Sequence, residues 1–207
     1  MDTTAQENWE TGSEKGRYAE EFFSQIFPDQ LLKLPGRKSD YLILANSAMV
    51  EVKGDYELWR TGNIFLETWS RQEYMCLNEH YNGQNKPTSF NIGLTPQRCP
   101  SCGNDDIRPP QIGGPRQAKS KGSKYFAYLC FDDFWRYLGL YCFQVDDLVR
   151  FLDDNEHNYR PRPTIKPNRN GTTIGIPVPV AHLSHLAIPV ATIFTPQQSA
   201  LQARNQE

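Results

Sequence analysis

Asp40, Glu51 and Lys53 are the residues of this chain whose types and spacing could do chemistry. They lie in the stretch SDYLILANSAMVEVKGD, residues 39 to 55. Side chains alternate along a strand, so Glu51 and Lys53 share a face while Val50 and Val52 point the other way. A two-residue turn at Asn46-Ser47 would set Ala45 opposite Ala48, Leu42 opposite Glu51 and Asp40 opposite Lys53. All three then share one face, with Asp40 the diagonal neighbour of Glu51 at roughly 7–8 Å. Two carboxylates so placed can lean onto one hard cation, whose oxygen ligands stand at about 2.1 Å. A three-residue loop would break that arrangement.

The same stretch speaks to its surroundings. Leu42, Leu44 and Met49 share the carboxylate face, and Tyr41, Ile43, Val50 and Val52 populate the other. Both faces are largely apolar, so the sheet should be covered on both sides. Charges on a half-buried face are costly unless paired or bound to metal. The plainer alternative is an exposed cross-strand ion-pair cluster, which needs no function.

The elements that must position these residues follow from the pattern on either side. Thr11 to Glu14 fits a capping box, and Tyr18, Ala19, Phe22, Phe23 and Ile26 then fall on one face of a helix that Pro28 ends. Leu31 to Leu34 is a short apolar run before a Pro35-Gly36 turn. Strands are expected over 40–45, 49–55 and 64–69, with a weakly periodic helix over 69–80. Residues 81–124, rich in Gly, Pro, Asn, Lys and Arg, read as an insertion or long loop. Beyond it come a strand over 125–130, a short helix from Asp132, a strand over 140–144, a helix capped by Asp146-Asp147, and a last strand over 172–180. The reading is of a disordered segment 1–12, one domain over 13–190 and a tail over 191–207.

Asp40, then ten residues, then Glu51-Val52-Lys53 on adjacent apolar strands resembles the PD-(D/E)XK nuclease superfamily. Gly16 to Glu20 (GRYAE) is similar to that family's acidic position on the first helix. Thr61 to Glu67 (TGNIFLE) is similar to a segment after the lysine in phage and restriction-type members. Ser39 stands where the motif's proline would be. The likeness spans residues 13 to 69 well and 125 to 180 in outline. It implies an α/β fold, restriction-endonuclease-like, with a mixed central sheet flanked by helices on both faces. It also implies Mg²⁺, with Mn²⁺ as a substitute, held by Asp40, Glu51 and the Val52 carbonyl. Lys53 would orient the attacking water and offset charge on the phosphorus. Glu20 would complete the site, with Asn63 and Glu67 behind it. Glu20 is equally a solvated helix charge, and Asn63 and Glu67 read more readily as strand-end polar groups.

Composition bounds the partners. The net charge is -2, so nucleic-acid affinity must come from local basic patches. Arg116, Lys119, Lys121 and Lys124 form one such stretch, and Arg160, Arg162, Lys166 and Arg169 another. Charge runs are also ordinary solvated surface. No apolar run is long enough for a membrane helix, and the polar, acidic start is unlike a signal peptide, so a cytoplasmic protein is expected. Five cysteines without a secretory signal favour reduced thiols or a metal over disulfides. Cys99-Pro-Ser-Cys102 looks like half of a zinc knuckle, and Cys76 with His80 could add to it. His182 and His185 read as packing or surface residues.

The expected function is divalent-metal-dependent hydrolysis of DNA, with RNA open and a homodimer compatible. The alternative is a non-cleaving nucleic-acid-binding or interaction module on a nuclease fold, with a zinc-binding insertion as a further variant.

Overall fold

The computed structural model describes residues 3–35, 39–71, 74–76, 89–90, 107–108, 111–163 and 173–196. In chain order come helix α1 (Thr3–Ile26), strands β1 (Leu31–Lys33), β2 (Tyr41–Ile43) and β3 (Ala48–Asp55), helix α2 (Leu58–Thr61) and strand β4 (Asn63–Arg71). Short strands β5 (Tyr74–Cys76), β6 (Ser89–Phe90), β7 (Ile107–Arg108) and β8 (Gln111–Ile112) precede helix α3 (Gly114–Ser120). Strands β9 (Tyr125–Phe131) and β10 (Tyr137–Gln144) lead into helix α4 (Val145–Asn155). The series continues with β11 (Arg162–Pro163), β12 (Ile174–Pro179), α5 (Val180–Leu183), β13 (Ala187–Ile188) and α6 (Val190–Ile193).

The architecture is α/β around a mixed six-stranded sheet in the order β1-β2-β3-β9-β10-β13. The β3–β9 pair is parallel and the other pairs of this sheet are antiparallel. A second sheet runs β11-β12-β4-β8, and a small third one β6-β5-β7. No helix among the described residues is long and apolar enough to cross a membrane.

β9 shows why both faces of the main sheet are covered. All seven of its residues are buried. Tyr125, Ala127, Leu129 and Phe131 enter one core, and Phe126, Tyr128 and Cys130 the other. A strand buried on both sides reads as a continuous apolar run, as this one does. On the first side α1 brings Ala19 and Phe23, both fully buried, against Tyr41, Ile43, Val50 and Val52. The contact is close: a Cβ on Gly54 would come within 2.8 Å of the Ala19 methyl. On the second side Val145, Leu148, Val149 and Leu152, one stripe of α4, pack with Ile64 and Leu66 of β4 and Ile176 and Val178 of β12.

Several sequence expectations need correction. The β2–β3 register pairs Tyr41 with Val50, Leu42 with Met49 and Ile43 with Ala48, so the loop is Leu44 to Ser47 and not two residues. Asn46 explains the longer loop. Its side chain accepts from the Ala48 N–H at 3.0 Å and donates to the Ile193 carbonyl at 2.8 Å, tying the loop to the end of the packed chain. Ser47 takes a positive φ of 55°. The slip is two residues, and side chains repeat every two, so every residue keeps its face.

Helix α1 begins at Thr3, so Thr11 lies within it and does not cap it. The chain after Trp69 continues as strand through Arg71, with β5 following, and not as helix. Asp132 to Arg136 is a tight turn between β9 and β10, where the Asp132 carboxylate accepts from the Phe134 and Arg136 N–H groups, both at 2.9 Å. β12 is followed by β13 and is not the last strand. The packed unit also passes residue 190: Ile193 is fully buried, and Phe194 lies on Phe27 with ring centroids 4.5 Å apart.

Candidate metal centre

Position along β3 decides what each charged side chain can reach. Because Glu51 pairs with Phe126 and Lys53 with Tyr128, both point to the side of the sheet that carries β4 and α3. Glu51 is 3% exposed, and Lys53 donates to its Oε1 at 3.2 Å. Asp40 stands one residue before β2, where the ladder to β3 has stopped. Its Oδ2 accepts the Val52 N–H at 2.7 Å, replacing the bond that a longer β2 would have supplied. The N–H and C=O of one strand residue face the same edge, so the Val52 carbonyl lies on the Asp40 side as well. Asp40 Oδ1 takes no hydrogen bond from a described residue.

The electrostatics follow from burial and proximity. Burial, then the Glu51 charge, push the Asp40 carboxyl up to about 6, against the pull of the Val52 N–H and Lys53. Burial alone would lower Lys53, yet Glu51, Asp40 and Glu67 together raise it. Glu67 is raised by burial first; Lys53 and Lys121 pull it down and Glu51 pushes it up. Glu67 of β4 therefore belongs to the same cluster. Its carboxylate lies over the Gly113-Gly114 peptide at the start of α3, where a Cβ on Gly113 would come within 2.5 Å of Oε1. Gly114 has a φ of +48°, which favours glycine.

Lys121, expected in a basic stretch that could wrap a phosphate backbone, joins the cluster itself. Its ammonium donates to both oxygens of Glu51, at 3.1 and 3.2 Å. Three contacts hold the turn after α3 against the hairpin. Ser123 and Ser39 share a buried hydrogen bond, the Lys124 N–H donates to the Met49 carbonyl at 2.9 Å, and Gly122 packs on the Met49 methyl. The available signal was the parallel pairing itself. A strand starting at Tyr125 beside Val50 brings the residues just before it to the mouth of the acid-bearing strand.

Other expected site residues are placed less centrally. Glu20 forms an ion pair with Lys33, whose ammonium also stands 4.5 Å over the Tyr41 ring. It reaches Asp40 only as a minor electrostatic influence. Asn63 donates to the Thr61 carbonyl at 2.9 Å and serves the turn before β4. Arg116 is matched by Asp153 at 2.8 Å and Glu156 at 2.7 Å, and Lys119 by Asp146 at 2.8 Å. The stretch from 114 to 120 is helix and not loop, and its cations meet Asp146 and Asp153 of α4 and Glu156 just past its end. Lys124 stands 5.3 Å over the Tyr125 ring. Arg160 and Arg162 are exposed. Cys99, Cys102, His80, Lys166 and Arg169 lie outside the described residues. Cys130 and Cys142 are buried free thiols, and His182 is exposed, bonded to the Tyr159 hydroxyl at 2.8 Å.

The donor chemistry suits a hard cation. Asp40 keeps one oxygen free of described hydrogen bonds, and Glu51 is a buried carboxylate beside it. Among the described residues no three His, Cys, Asp or Glu side chains gather at metal-binding distance, so an ion here would rest on two carboxylates and a backbone oxygen. No family model, curated protein or solved structure matches the chain.

Proposed function

We propose that this chain is a divalent-metal-dependent nuclease that hydrolyses DNA phosphodiester bonds on a restriction-endonuclease-like fold of the PD-(D/E)XK type. One observation carries the reading: Asp40, Glu51 and Lys53 share a face of the β2–β3 hairpin, with a buried carboxylate, a carboxyl that burial pushes up to about 6 and an ammonium in one cluster. Asp40, Glu51 and the Val52 carbonyl would hold Mg²⁺ or Mn²⁺. Such an ion supplies Lewis acidity toward a phosphoryl oxygen and a more acidic bound water. Lys53, half-buried and held on Glu51, would orient a water against the phosphorus and offset charge that builds on the phosphoryl oxygens. Glu67 acts on Lys53 through its charge, helping to keep the ammonium protonated.

The second reading, a non-cleaving module, has its own observation. Lys121 covers both oxygens of Glu51 and Lys53 meets one of them, so this carboxylate is ion-paired without any metal. Incubating the purified protein with linear, circular and branched DNA in Mg²⁺, Mn²⁺ or EDTA separates the two. Cleavage with either metal and none in EDTA is expected, and Lys53→Ala should slow it by roughly 10²–10³-fold while the protein stays folded. No cleavage under any metal, or cleavage undiminished in both Lys53→Ala and Asp40→Ala, would remove the nuclease assignment.

A further inference from the structure

The basic stretch around α3 divides by counter-ion. Arg116 and Lys119 are matched by Asp153 and Asp146 on α4 and by Glu156 just past its end. Lys121 is matched by Glu51, a carboxylate that the reading above gives to a metal ion. A divalent cation and an ammonium cannot both straddle the same two oxygens. We propose that Lys121 is a phosphate-binding group of this site, held on Glu51 until a divalent ion takes that carboxylate. This inference rests on the metal-site reading.

Three features support it. The backbone around Lys121 is fixed by the Ser123–Ser39 and Lys124–Met49 hydrogen bonds, while the ammonium rides on a four-carbon stem that can swing without moving the chain. The side chain is 22% exposed, so part of it meets solvent even while the ammonium sits on Glu51. The cluster of Asp40, Glu51 and Glu67 with Lys53 and Lys121 carries one more carboxylate than ammonium. A divalent ion reverses that sign, which favours an anion and leaves a released ammonium beside it. In this arrangement the metal creates two anion-binding charges, its own and that of the lysine it displaces.

The test begins without cleavage. Mn²⁺ is titrated calorimetrically into wild type, Lys121→Met, Lys121→Arg and Lys119→Met, and Asp40→Ala marks the loss of the site. Lys121→Met should bind Mn²⁺ about tenfold more tightly, the scale of one close charge–charge interaction. Lys121→Arg should stay near wild type, and Lys119→Met should not differ. In Ca²⁺, Lys121→Met should bind a short DNA duplex more weakly, with the salt slope reduced by about one. Lys121→Gln must behave like Lys121→Met if the methionine packs poorly. Mn²⁺ binding that needs Asp40 but is unchanged or weakened in Lys121→Met overturns this inference and leaves the metal site standing. Absence of Mn²⁺ binding in wild type and all variants overturns the metal-site reading and this inference with it.

Discussion

The two faces of β2 and β3 are made from interleaved residues of the same short hairpin, yet they do opposite things to the protein. On one face Tyr41, Ile43, Val50 and Val52 meet Ala19 and Phe23 in a dry aromatic core, where Tyr56 stacks on Phe131 with centroids 5.0 Å apart. On the other face Asp40, Glu51 and Lys53 meet Glu67 and Lys121, charges whose desolvation the fold must offset. Asp55, further along β3, marks the boundary. Its carboxylate accepts the Glu57 and Leu58 N–H groups at 2.9 and 2.8 Å and so serves the backbone, whereas Glu51 is met by lysine side chains. Stability and chemistry are thus divided by residue parity, not by region of sequence.

That division can be broken from either side. Phe23→Ala on the dry face should cost about 3–5 kcal/mol in urea unfolding, the usual range for emptying a fully buried phenylalanine site. A loss below about 1 kcal/mol would mean that the α1 face is not where stability resides. Asp40→Asn should do the reverse. A carboxyl raised to about 6 in the folded chain is protonated in both states below about pH 4, so it costs nothing there. The penalty grows between about pH 4 and 6 and is complete above. Asparagine can still accept from Val52, so the variant should be more stable than wild type by on the order of 2 kcal/mol at pH 8, with the gap closing toward pH 4. Equal melting curves across that range would show that the site face is not under electrostatic strain. Lys119→Ala sharpens the contrast as the bland case. Its pair with Asp146 is solvent-exposed, and its loss should move stability by less than about 0.5 kcal/mol. A larger change would make the α3–α4 ion pairs structural.

How much of this was legible in the sequence depends on distance along the chain. Alternation in 39–55 identified the shared face of Asp40, Glu51 and Lys53 even though the predicted turn was too short. Face depends on parity, and the real loop differs by an even number of residues. The loop length itself was hidden because Asn46 draws its conformation from contacts with Ile193 and Thr195, far away in sequence. Lys121 was hidden for the same kind of reason. Nothing local separates it from Lys119, and only the pairing of β9 with β3 sends one to Glu51 and the other to α4. The strand character of 69–71 was masked by weak periodicity, and it follows from pairing with β8 and β12.

The parallel pairing of β3 with β9 also sets the order in which the molecule becomes competent. The hairpin that carries the acids can close through neighbouring residues, but Lys121 lies 70 positions further along from Glu51 and arrives only with the long crossover. Such distant closures are the slow part of folding, because the loop must be ordered before any contact rewards it. A chain whose synthesis has not passed α3 therefore holds Glu51 without its Lys121 partner.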